Sequence, residues 1–339
     1  MNESKLAIVI PAYKGRHFAE TLESLCRQTN KQFTVYIGDD ASPEPIKEIA
    51  DRFSDQIPIV YHRFVENLGG KSLVAQWERC IALSGSEPWI WVFSDDDIAE
   101  PDCVAAFHRL IETGIGAASL LRFNLDIIDD RGNLLLRPSP HPDAEGPEEL
   151  LIALLGDIFR EWRAPDHIFS REAYQRAGGF VAFPKALCSD HASWALLSNP
   201  GGVRTIPGPR VLWRNHEGGL STGQLGVDRK AQITALIQYM KWVQDYAARN
   251  PNFDKTRITR ISRRHYVKEL GKLQPPLSFA EALRLAIPSA AIWKRSPTWF
   301  FVALGYRALR SRAKRWPLLR DLDRRRFQRM LARELQSRQ

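Results

Sequence analysis

The first half of the chain alternates short apolar runs with segments whose apolar residues recur at helical spacing. LAIVI (6–10), FTVYI (33–37), IPIVYHRF (57–64) and WIWVF (89–93) read as strands, being short and rich in β-branched and aromatic residues. Between and after them come helix-period stretches: Phe18, Leu22, Leu25 and Cys26; then IKEIADRF; then Leu73, Trp77, Cys80 and Ile81; then Val104, Phe107 and Leu110. Strands separated by helical segments of this length predict βαβ units, hence an α/β fold with a mostly parallel sheet flanked by helices. Ligands of such sheets bind beyond the carboxyl ends of the strands. Two acidic clusters fall there, Asp39–Asp40 after FTVYIG and Asp95–Asp96–Asp97 after WIWVFS. Like charges side by side repel, and more so at the rim of an apolar core, so the second cluster calls for a positive partner.

The second half changes rhythm. SLLRFNLDIIDDRGNLLL reads as a hairpin turning at DDRGN, and PEELLIALLGDIF as a helix led by Pro147. Ser170 is placed to cap REAYQRA, which Gly178–Gly179 would stop, and GVRTIP and RVLWRNH read as two short strands. After about Gly226 the pattern is helical, with Ile233, Leu236, Ile237, Met240 and Val243 on one face. STGQLG reads as a linker, so the expected division is 1–222 and 223–339.

Composition changes this picture in four places. With 44% hydrophobic and 26% charged residues over 339 positions, a large packed core is expected and global disorder is not. MNESKLAIVIPAY lacks the basic start of a secretory signal, and no stretch reaches the roughly 20 apolar residues of a membrane span. Cys26, Cys80, Cys103 and Cys188 are scattered without a CxxC pair, which argues for reduced thiols and a cytoplasmic setting. Finally, residues 307–339 hold 12 Lys/Arg against 3 Asp/Glu, so the net charge of +9 belongs to the tail. There Trp293, Trp299, Phe300, Phe301, Trp316 and Phe327 interleave with basic residues, the make-up of an amphipathic helix on an anionic membrane surface. The acidic site argues against nucleic acid as a partner.

Six stretches in order carry a resemblance: VIPAYKGRHFAETLESLCRQT with YIGDDAS, ENLGGKSLVAQWERCI, FSDDDIAEPD, FSREAYQRAGGF, SDHASW and WRNHEGGLS. Together they resemble the inverting family 2 glycosyltransferases of the GT-A fold, over roughly the first two thirds of the chain. The resemblance implies a Rossmann-like catalytic domain over 1–222, with a helical, basic C-terminal region outside it. It also implies a nucleotide-sugar donor, most often UDP-linked, a glycan or lipid-linked acceptor, and Mn2+ or Mg2+. Residue by residue, Asp40 matches the nucleobase contact, with Pro11 and Tyr13 shaping the pocket and Lys71 near the nucleotide. Asp95 matches a ribose contact and Asp96 the metal-holding carboxylate of a DxD motif. Asp190 matches the catalytic base. His216 and Arg214 match an Arg-x-His element over the phosphates, with His216 as a candidate metal ligand.

Elementary chemistry supports these roles. Hard cations take carboxylate and phosphate oxygens, and an acceptor hydroxyl needs a base to attack at neutral pH. Two positions depart from the family pattern: Ser94 stands where the first DxD aspartate would be, and Ser189 where many relatives have Glu. Plainer readings stay open beside these. Asp97 or Asp102 would cap the next helix, Asp39 would be a structural loop acid, and His167 and Trp194 would be packed rather than lining an acceptor cleft. A nucleotidyltransferase on a similar sheet, and a degenerate nucleotide-binding module, remain as alternatives. VIPAYKGRH, with one glycine and a proline, lacks the Gly-rich basic loop of the former.

Overall fold

The computed structural model describes residues 5–156, 159–216, 228–273 and 275–313. In chain order the elements begin β1 (Leu6–Ala12), α1 (Phe18–Cys26), β2 (Phe33–Asp39), α2 (Ile46–Asp51), β3 (Ile59–Arg63), α3 (Leu73–Ile81) and β4 (Trp89–Val92). They continue β5 (Ile98–Ala99), α4 (Cys103–Thr113), β6 (Leu120–Ile128), β7 (Leu134–Leu136), β8 (Ala144–Glu145), α5 (Pro147–Gly156) and β9 (His167–Ser170). Last come α6 (Arg171–Ala177), α7 (Ser189–Leu197), β10 (Val203–Arg214), α8 (Arg229–Arg249), α9 (Lys255–Leu270), α10 (Phe279–Trp293) and α11 (Pro297–Ala313).

All ten strands join one mixed sheet, ordered β3-β2-β1-β4-β9-β6-β10-β5, with β7 on β6 and β8 on β10. The first four positions are parallel, as the βαβ rhythm predicts. β9 is antiparallel to both of its neighbours, β4 and β6, and β10 runs parallel to β6. The direction therefore reverses twice, and β6 and β10 point the same way as β1, β2 and β4.

Alternation along the strands sends Leu6, Ile8 and Ile10, with Phe33, Val35, Ile37, Trp91 and Phe93, to one face. Phe18, Leu22 and Leu25 of α1 and Val104 and Phe107 of α4 close over it. Each such buried side chain contributes about 1.5–3 kcal/mol, so the strand ends on this core are held firmly. On β2, Gly38 allows α3 to approach: a Cβ there would stand 2.3 Å from Cys80 Sγ.

GVRTIP and RVLWRNH, expected as two strands, form the single β10, whose register shifts between Thr205 and Arg210. Pro207 and Gly208 lie in that interval, and Pro cannot donate to a ladder. The DDRGN hairpin forms as expected between β6 and β7. Ser170 caps α6 by accepting from the Ala173 amide, and Gly178 ends it in the left-handed region. None of the four cysteines is in a disulfide.

The chain divides into two compact units, Met1–Trp242 and Val243–Gln339, the division falling within α8. The linker expected at STGQLG lies outside the described residues, as do Trp316 and Phe327. In the second unit Ala282, Ala286 and Ala290 put small side chains on the buried stripe of α10, facing a core with Tyr266, Trp293, Phe300 and Leu304. Trp293 Nε1 donates to Ser262 Oγ at 3.1 Å, and Trp293 stacks on Phe300. These two aromatics, expected at a surface, are core. Exposed instead are Phe279, Leu283 and Ile287 of α10 and Val302, Tyr306 and Leu309 of α11. Among the described residues no helix is long and apolar enough to cross a membrane.

Candidate active site

Because β1, β2, β4, β6 and β10 share a direction, the segments that leave their carboxyl ends gather on one edge of the sheet. Those segments are Tyr13–His17, Asp40–Ser42, Ser94–Asp97, Asp129–Asp130 and Arg214–His216.

The three acids of the second cluster, Asp95, Asp96 and Asp97, take three different jobs. Asp97 is fully buried; its Oδ1 accepts from the Arg214 amide at 2.8 Å and its carboxyl is also bonded by the Ser94 side chain. Burial, then the charge of Asp96, pushes its pKa well up. Asp97 is thus a structural tie between β4 and β10, not a helix cap. Asp95 Oδ2 accepts from the Tyr13 and Lys14 amides at 2.7 and 2.8 Å, fastening the loop after β1 to the loop after β4. Burial, then the charge of Asp96, pushes Asp95 up to about 6. Asp96 faces His216, with Oδ2 3.0 Å from Nε2. Asp102 stands at the N-cap of α4 yet bonds no helix amide; its Oδ1 accepts from the Thr29 hydroxyl instead.

Arg214 is buried, and its donors are taken. Nε donates to Asp96 O at 3.0 Å, Nη1 to Asp130 O at 3.0 Å and Asp129 O at 3.4 Å, and Nη2 to Glu20 at 2.7 Å. The guanidinium ties β10 to α1, to the acidic loop and to the DDRGN turn. The structure therefore gives Arg214 a positioning role, with its guanidinium buried among these partners.

On the β2 side, Asp39 is buried and accepts from the Ser42 amide, the Tyr61 hydroxyl and Arg63, the structural reading of that acid. Asp40 accepts from the Leu68 and Gly69 amides at 2.7 and 2.8 Å and from Arg79, so it pins the ENLGG loop. A Cβ at Gly69 would stand 2.7 Å from Asp40 Oδ2, so the loop closes on Asp40 only with glycine there. Lys71, on the same loop, is exposed and pairs with Glu66 at 2.8 Å. Pro11 is partly buried in β1 opposite Gly38 of β2, and the Tyr13 ring is exposed while its carbonyl accepts from Ser42.

Asp190 lies in the first turn of α7, half-buried, with Oδ1 accepting from the His191 amide at 2.8 Å. Its neighbour Ser189 is fully buried and accepts from the Phe183 amide, which fixes the turn. Lys185, Ala186 and Cys188 all have positive φ (56°, 55° and 62°), a run of left-handed backbone without a glycine. Such residues cost of order 1–3 kcal/mol each and collect at functional sites. The segment is moored to the β2 side of the edge: Phe180 N–H donates to Glu78 of α3 at 3.0 Å, and Lys185 Nζ reaches Gly70 O at 3.4 Å. His167 and Trp194 are fully buried and stacked on each other at 4.6 Å, so both are packed residues.

The sequence pattern passed over two members of this edge. His17, at the start of α1, is buried with Nε2 3.1 Å from Asp130 Oδ1, and with His216 these residues bring three ligand atoms within 4.8 Å of one another. The available signal was position: His17 follows β1 and Asp130 follows β6, both strands that end on this edge. Imidazole and carboxylate donors converging here fit a divalent cation.

Residues 7–141 match the sequence model of Glycosyl transferase family 2. No curated protein matches the chain. Among solved structures, Staphylococcus aureus TarS 1-349 in complex with UDP-GlcNAc aligns at TM-score 0.65 with 12% identity, covering 91% of each chain. The same fragment in complex with UDP gives 0.63 at 11% identity, covering 91% of this chain and 90% of that one. TarS without that truncation gives 0.62 at 13%, and there the alignment spans 53% of its length. At such identities the likeness is one of fold, and it agrees with the sheet order and the helical C-terminal region described above. The match over residues 7–141 likens this part of the chain to Glycosyl transferase family 2, and the architecture around it is that of the GT-A fold.

Proposed function

We propose that this enzyme transfers a sugar with inversion from a nucleotide-sugar donor, a UDP-sugar, to a hydroxyl of a glycan or lipid-linked acceptor. The observation that carries the reading is the single edge where Asp96 and His216 face each other and the Asp190 segment is moored to the loop that Asp40 pins. The TarS fragments of similar fold bind UDP-GlcNAc and UDP, which supports the choice of nucleotide.

In this reading Asp40, Pro11 and Tyr13 shape the nucleobase pocket, Lys71 lies near the nucleotide and Asp95 borders the ribose. Asp96 and His216 hold Mn2+ or Mg2+, which when bound offsets charge on the departing diphosphate. Asp190 takes the proton of the acceptor hydroxyl as it attacks the anomeric carbon from the face opposite the nucleotide. Asp95 and Asp97, raised by burial and then by the charge of Asp96, mark an edge that a cation would relieve. Melting curves with UDP, GDP, dTDP and CMP, each with and without Mn2+, test this. UDP with Mn2+ should give the largest rise; a rise for another nucleotide alone, or none that depends on Mn2+, contradicts it.

We place the enzyme in the cytoplasm, with its C-terminal unit resting on the inner face of an anionic membrane. Phe279, Leu283 and Ile287 on α10, and Val302, Tyr306 and Leu309 on α11, expose apolar stripes at helical spacing, with Arg284, Lys294 and Arg295 exposed on and beside α10. Flotation with anionic vesicles should carry the full chain upward, and Leu283→Ser with Ile287→Ser should leave it in the lower fraction. Equal flotation of both proteins would count against the membrane surface.

A further inference from the structure

We infer that His17 and Asp130 join His216 as ligands of the cation at this edge, making an imidazole-rich site that selects first-row transition ions over Mg2+ and Ca2+. The inference deepens the proposed reading and rests on its claim that the edge holds a cation.

The two imidazoles are built into position. His17 is 6% exposed; it opens α1, and its carbonyl accepts from the Thr21 amide. His216 is 7% exposed and follows β10, and the two rings stand 5.4 Å apart, edge to face. Asp130 supplies the carboxylate: Oδ1 is 3.1 Å from His17 Nε2 while Oδ2 is held by Arg16. Arg214 fixes the same turn through the Asp130 carbonyl, and Asp96 bonds His216 Nε2. On the other ring nitrogen of His17, Nδ1 lies 3.4 Å from Glu20 Oε1, and metal-binding histidines ordinarily have a carboxylate or carbonyl at that nitrogen to orient the ring.

The spacing is close to what coordination needs. One donor atom from each of His17, Asp130 and His216 lies within 4.8 Å of the others. Donors about 2.1 Å from one ion stand about 3–4.2 Å apart, depending on the angle between them, so side-chain movements of about an ångström close the set. Two imidazoles beside carboxylates suit Mn2+, Co2+ and Zn2+, whereas Mg2+ prefers an all-oxygen shell with several waters. The sugar-nucleotide site would thus owe its ion preference to a residue after β1 and a residue in the DDRGN turn, neither part of the acidic motif.

The test uses the full chain without nucleotide, titrated with Mn2+ and followed by the spin-resonance signal of the free ion, with Mg2+ as competitor. His17→Asn should weaken Mn2+ binding by about 10–100-fold and narrow the preference for Mn2+ over Mg2+. Asp130→Asn, at a partly exposed turn position, should move both readouts the same way and carries the test should His17→Asn melt early without metal. Wild-type Mn2+ binding in a folded variant of either residue overturns the inference. In that event, loss of binding in Asp96→Asn leaves the glycosyltransferase reading standing. Wild-type binding in Asp96→Asn as well removes the cation from this edge altogether.

Discussion

Replacing Asp190 with asparagine is expected to lower sugar transfer by about 10²–10⁴-fold while nucleotide binding stays near the wild-type level. The amide keeps the shape and can still accept from the His191 amide, so the first turn of α7 should remain as it is. What is lost, in the proposed reading, is the oxygen that takes the acceptor proton. The Asp190 segment meets the ENLGG loop through Lys185 and α3 through Phe180, contacts that do not involve the Asp190 carboxylate, so donor binding is expected to survive the change. Single-turnover transfer beside a nucleotide titration separates the two effects. Transfer within a few-fold of wild type would remove Asp190 as the base, and loss of nucleotide binding would make it a structural residue.

The second large effect is expected at Arg214. Its guanidinium serves the main-chain carbonyls of Asp96, Asp129 and Asp130 and the carboxylate of Glu20, joining the acidic loop, the DDRGN turn and α1. Arg214→Ala leaves those carbonyls without their donor, at about 1–3 kcal/mol for each that stays dry, and frees the DDRGN turn from the acidic loop. Glu20 is half exposed and can return to water, so its share is small. A net loss of about 3 kcal/mol corresponds to a melting point lower by roughly 6–12 °C. Metal-dependent nucleotide binding should fall further than stability alone explains, because Asp96 and the Asp130 turn both lose an anchor. Arg214→Lys should recover only part of either effect, since an ammonium cannot serve that fork. A melting point within about 2 °C of wild type would contradict the positioning role.

Much of this edge was legible in the chain itself, and the reasons are local. A strand followed at once by acids, as in FTVYIGDD and WIWVFSDDD, states both an element and the end at which its chemistry sits. Ser170 and Gly178 mark the bounds of α6 by the same kind of signal. What stayed hidden depends on distant partners. That Asp97 ties β4 to β10 while Asp96 faces His216 follows from a pairing across the sheet, and three successive aspartates look alike until it forms. The resemblance to an Arg-x-His element placed Arg214 over the phosphates, and nothing local in the sequence shows that its donors serve Asp96, Asp129, Asp130 and Glu20. His17 and Asp130 are separated by 112 intervening positions and meet only because β9 reverses the sheet twice. In the C-terminal unit, spacing alone did not tell Trp293 and Phe300, which are core, from Val302 and Tyr306, which are not.

The account turns on a cation that joins this edge to the donor diphosphate. A crystal grown with UDP and Mn2+, with anomalous differences recorded at the manganese edge, tests this most directly. The account predicts one strong peak within coordination distance of the Asp96 carboxylate and the His216 ring, touching diphosphate oxygens. UDP bound with no peak there, or a peak away from Asp96, would contradict it.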